Sequence, residues 1–110
     1  MNAYEELRAE LKRGEKVEGI CFGDWGWGGY SEPEPNPIPL EKRNCVLTLK
    51  KAKPLMQSWE FGGGFGAPDC YATYIWTNKR VGYVVQYDGA TALHWMPRNP
   101  VDCAPEMPGG

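Results

Sequence analysis

The run Tyr71-Ala-Thr-Tyr-Ile-Trp-Thr-Asn-Lys-Arg-Val-Gly-Tyr-Val-Val-Gln-Tyr-Asp-Gly-Ala-Thr-Ala-Leu-His-Trp-Met96 decides the fold. Three segments rich in β-branched and aromatic residues, 71–77, 80–87 and 90–96, are separated by Asn78-Lys79 and Asp88-Gly89. Asp-Gly is a strong two-residue hairpin signal because both positions tolerate positive φ, and Asn-Lys is a weaker one. The segments therefore read as an antiparallel meander. Two-residue turns set the register, placing Tyr74 opposite Tyr83 and Tyr83 opposite His94. One face then carries Ala72, Tyr74, Trp76, Val81, Tyr83, Val85, Ala92, His94 and Met96. This face is nearly continuous in apolar and aromatic groups, which predicts it as the core face under the helices. The other carries Thr73, Ile75, Thr77, Arg80, Val84, Gln86, Leu93 and Trp95, with Gly82 between Ile75 and Trp95. Trp95 is then either a ring covering a strand glycine or part of a half-covered contact patch.

Towards the N-terminus, Asn2 with Glu5 three residues on forms a capping box for a helix over 2–13, and Gly14 follows its basic end. Tyr4, Leu7 and Leu11 share one face, so the helix packs on the sheet. Lys16 to Phe22 reads as a strand, with Val17 and Cys21 on one side and Ile20 and Phe22 on the other. Alternating prolines in 31–39 predict an extended strap over the domain's own aromatics. Cys45 to Leu47 is a brief strand, and Thr48 caps the helical stretch Leu49 to Trp59. Pro54 implies a kink there or a start near Lys53. Residues 97–110 form an extended, proline-rich tail. The expected architecture is one small α+β domain over 1–110, an antiparallel sheet packed by an N-terminal helix and one short central helix.

With 12 basic and 14 acidic residues among 110, the net charge is -2. This is neither the field of a nucleic-acid binder nor that of an acidic mimic, so direct nucleic-acid binding is not expected. Fourteen glycines and ten prolines predict long loops, where function concentrates. The N-terminus is polar and no apolar run suits a membrane span, which points to a cytoplasmic protein. Cys21, Cys45, Cys70 and Cys103 are scattered without a Cys-x-x-Cys pair. Reduced thiols are the simplest reading, and neither a metal site nor a cofactor is called for.

Two glycine-aromatic stretches, Phe22-Gly-Asp-Trp-Gly-Trp-Gly-Gly-Tyr30 and Phe61-Gly-Gly-Gly-Phe-Gly66, set large rings on bare backbone. Neither is a phosphate loop, since the Lys-Ser/Thr and the following helix are missing. Asp24, Trp25, Trp27, Tyr30, Phe61, Phe65 and Trp95 are the candidate binding residues. They suit a hot spot for a protein partner or a stacked ring-shaped ligand such as a nucleotide or sugar. Inward packing as core is the rival reading. An enzyme would need His94, the only histidine, with Cys70 as nucleophile and Asp69 or Asp88 behind it. No nucleophile signature accompanies that set, so no catalytic residue is assigned.

The stretches 23–30, 66–71, 74–81 and 86–91, followed by Pro97-Arg-Asn-Pro100, resemble small uncharacterised proteins of phages and prophages. The resemblance covers nearly the whole chain and assigns no activity to any residue. It implies a context, a phage-type accessory protein that acts by stoichiometric binding to a host protein in the bacterial cytoplasm. Inhibition of a defence system such as CRISPR belongs to that context. The balanced charge predicts a contact made by shape and aromatic groups. Small-ligand binding is the alternative, and Cys/His enzymology the third.

Overall fold

In a computed structural model of the chain, the structure describes residues 1–26, 32–62, 70–87 and 90–107. The first helix, α1, spans Ala3–Glu10 with Asn2 as its N-cap. The Asn2 side chain accepts from Glu5 N at 2.8 Å and Glu5 returns the bond at 3.0 Å, the predicted capping box. The helix ends at Glu10, short of the expected Arg13, because Leu11 is already extended. Gly14, at φ 76°, then reverses the chain into the sheet.

Strand β1 spans Val17–Trp25 and runs three residues beyond the predicted end. Two irregularities in its pairing, between Val17 and Gly19 and between Phe22 and Trp25, each shift the alternation. The first moves Val17 onto the same face as Ile20 and Phe22, where period-two reading put it with Cys21. A short 3₁₀ turn, Leu40–Lys42, leads to β2, Val46–Leu47, and then to α2, Leu49–Gln57. Thr48 caps α2 by accepting from Lys51 N at 3.3 Å. Pro54 lies inside α2, and the helix starts at Leu49, ahead of the start near Lys53 that proline suggested. Pro54 and Lys50 are both exposed. The Lys50 carbonyl, left without its helical donor, is thus open to water.

The meander is β3, Tyr71–Thr77, then β4, Arg80–Tyr87, then β5, Ala90–Pro97. The predicted register is present: Tyr74 pairs with Tyr83, and Tyr83 with His94. The turn Asp88-Gly89 lies outside the described residues. The strands pair antiparallel throughout and the five-stranded order is β2-β1-β3-β4-β5, giving an α+β fold.

The helices cover the face opposite to the predicted one. Tyr71, Ile75 and Leu93 of the meander join Ile20, Phe22 and Leu47 of the other strands, with Leu7, Met56 and Trp59 above them. The paired row Leu47, Ile20, Ile75, Gly82 and Trp95 crosses this inner face. Its two threonines are hydrogen-bonded: Thr77 Oγ1 donates to Glu15 Oε2 at 2.7 Å, and Thr73 Oγ1 to the Tyr71 carbonyl at 3.0 Å. Small and hydrogen-bonded side chains let helices and the Trp95 ring approach closely, and ranking the two faces by apolar count alone inverted them.

Candidate functional site

The helix-free face is an aromatic sheet surface. One paired row across it reads Val46, Cys21, Tyr74, Tyr83, His94, and the next reads Gly19, Trp76, Val81, Met96. Tyr74 is 58% exposed, Met96 54% and Val46 67%. Tyr74 and Trp76 meet edge to face at 6.0 Å and form a ridge. Two clefts flank it, each with a β1 glycine in its lining. One of about 290 Å³ lies among Glu18, Gly19, Val46, Trp76 and Arg98, and one of about 150 Å³ among Cys21, Gly23, Ala72 and Tyr74. Burial, with the Cys45 thiol nearby, pushes the Cys21 thiol up, so it is protonated at neutral pH and a poor nucleophile.

Charge is confined to the margins of this face. Arg98 pairs with Glu18 and its Nη1 donates to the Thr77 carbonyl at 2.7 Å. At the other margin His94 lies beside Tyr83, ring centroids 6.2 Å apart, with Glu106 Oε2 at 3.2 Å from Nδ1. The centre is apolar and the rim polar, the usual anatomy of a protein contact surface.

The sequence-predicted binding residues lie elsewhere. Asp24 is 3.5 Å from the Arg43 guanidinium, which also pairs with Glu32 and donates to the Ile38 carbonyl at 3.1 and 2.9 Å. Arg43 is buried and ties Glu32 and the Ile38 backbone to the body, with Ile38 wholly buried. Trp25 packs edge-on against Tyr71 at 5.0 Å, and Phe61 against Trp59 at 5.1 Å. Burial, with the Glu32 carboxylate close, pushes the Tyr71 phenol up to about 12. Trp95 covers Gly82 on the inner face and carries the Arg80 guanidinium at 3.9 Å from its ring. Trp27, Tyr30 and Phe65 lie outside the described residues.

Cys70 belongs to the core cluster, whereas His94 lies on the uncovered face, so the structure does not bring these two together. Asp69 and Asp88 lie outside the described residues. Among the described residues no group of three or more His, Cys, Asp or Glu side chains is placed to hold a metal ion. No helix among them is long and apolar enough to cross a membrane. Tyr74, Trp76, Tyr83 and Met96 were placed in register by sequence but assigned to the core. The discriminating signal was available in β1, whose Gly19 and Gly23 bracket Cys21 on the face away from Ile20 and Phe22. No family model, curated protein or solved structure matches the chain.

Proposed function

We propose that the protein acts by stoichiometric binding to another protein, with the uncovered face of the sheet as its contact surface. One observation carries this reading: Val46, Tyr74 and Met96 are each more than half exposed on a face that also holds Trp76, Val81 and Tyr83. A sheet face of this composition is uncovered at a cost in water, and a complementary surface removes it. The resemblance to phage accessory proteins supports a host component as partner and inhibition as the effect. Tyr74→Ala with Met96→Ala, in exposed positions, leaves the circular dichroism spectrum unchanged and abolishes co-sedimentation with the purified partner. Undiminished co-sedimentation of this variant sinks the reading.

A second reading draws on the clefts beside the Tyr74–Trp76 ridge, where Trp76 lines one and Tyr74 the other. A nucleotide or sugar stacked there would raise the melting temperature of the parent but not of Trp76→Ala.

A further inference from the structure

The segment after β5 crosses one margin of the uncovered face without packing down on it. Arg98 fastens its start through Thr77 and Glu18. Near its end Glu106 reaches His94 Nδ1 at 3.2 Å, an ion-pair distance without hydrogen-bond alignment. Residues 99–107 are all exposed, and among the described residues no backbone hydrogen bond ties them to the sheet. Beneath Cys103–Glu106 lies a cavity of about 340 Å³ lined by Tyr83, Met96 and Pro97. The cleft opens to solvent, so the tail spans it without filling it. The tail is therefore an arch held at two points.

The chemistry that the arch presents is specific. Ala104-Pro105-Glu106 sets a proline beside a cavity walled by a tyrosine and a methionine, with a carboxylate at the histidine beyond. Extended proline-containing segments lose little entropy on docking and suit flat aromatic walls. We propose that Ala104-Pro105-Glu106 is an internal stand-in for the partner's contact segment. The uncovered face receives an extended, acidic, proline-containing peptide, which displaces the tail, seats its proline at Tyr83 and Met96 and places its carboxylate at His94. This rests on the protein-binding reading above and names the partner's chemistry. Because the tail is tethered, its effective concentration at the face is high, and an incoming peptide binds in proportion to the fraction of time the face is bare.

The probe is a fluorescein-labelled Asp-Ser-Ala-Pro-Glu-Met peptide, the order of 102–107 with serine in place of the thiol. Its anisotropy is titrated with the full chain and with the full-chain Pro105→Gly, Glu106→Ala variant. The variant, its arch released, binds the probe about tenfold more tightly than the parent. Adding either His94→Ala or Tyr83→Ala to that variant removes the gain, and His94, half-exposed at the edge strand, is replaceable without disturbing the core. Equal affinity for parent and variant, no binding to either, or binding that survives both further substitutions overturns the proposal. If the probe fails while Tyr74→Ala with Met96→Ala still loses the partner protein, the face reading stands and the peptide chemistry falls. If that variant keeps the partner, the face reading itself falls.

Discussion

The indole of Trp95 lies on the bare backbone of Gly82: a β-carbon built at position 82 would stand 2.7 Å from ring carbon Cζ3. The Arg80 guanidinium stacks on the same indole at 3.9 Å, so the ring has little room to retreat. Gly82→Ala, normally favoured in a strand by backbone entropy, here displaces the indole and destabilises the fold by about 1 to 3 kcal/mol. Urea denaturation measures the loss, and the near-ultraviolet circular dichroism of the tryptophans changes with it. An unchanged urea midpoint would refute the packing argument.

Glu15 and Arg80 form a shielded pair. Arg80 donates from Nε and Nη2 to the two carboxylate oxygens at 2.8 and 2.9 Å, and the Glu15 side chain is fully buried. The Arg80 hydrogen bonds, opposed by burial and aided by Lys12 N and Thr77, hold the Glu15 carboxyl down at about 2, from 4.5. A carboxyl lowered in the folded state contributes stability in full above its unfolded value. That contribution, about 3 kcal/mol, is lost as pH falls from about 4.5 to about 2. Glu15→Gln is less stable at pH 7, and the gap to the parent narrows across this window. Parallel urea melts at pH 7 and pH 3 that keep the same gap would contradict the assignment.

Arg43 holds the strap. It is 5% exposed and serves the Ile38 carbonyl, Glu32 and, at 5.1 Å, the Tyr71 ring. Arg43→Ala leaves a carbonyl and a carboxylate without their partner and costs about 3 to 5 kcal/mol. Arg43→Lys rescues little, because one ammonium cannot reproduce the fork. Limited proteolysis cleaves within 32–39 faster in both variants. Resistance equal to the parent's would show that Ile38 burial alone fixes the strap.

Tyr74 and Met96 are exposed, so their removal touches the surface and spares the core. Tyr74→Ser with Met96→Ser changes stability by less than about 0.5 kcal/mol per site and shortens retention on a hydrophobic-interaction column. A loss of several kcal/mol would return this face to the interior.

Local chemistry made much of the fold legible. The capping box at Asn2 and Glu5, the Thr48 cap and the two-residue turn at Asn78-Lys79 each act within a few residues, so their sequence signals survive into the structure. At Pro54 the sequence left open a kink or a later start, because solvent exposure of the Lys50 turn, a property of how the helix sits on the sheet, bears on whether proline is tolerated there. The candidate site was hardest to see. Asp24, Trp25 and Phe61 read as a rim from their glycine neighbours; in the fold Asp24 stays exposed near Arg43, and Trp25 and Phe61, half-buried, lean on Tyr71, distant in sequence, and on Trp59.

Strand alternation and turn length determined which residues share a face, down to the pairing of Tyr74, Tyr83 and His94. They could not determine which face the helices would choose. Both faces carry enough apolar surface to attract a layer, and period two is symmetric between them. The choice came from long-range fit: bulges in β1 that add Val17 to the inner face, the close approach allowed at Gly82, and a buried carboxylate from Glu15 that matches Thr77 and Arg80. The Glu15 contacts join residues more than sixty positions apart, and only the folded chain brings them together.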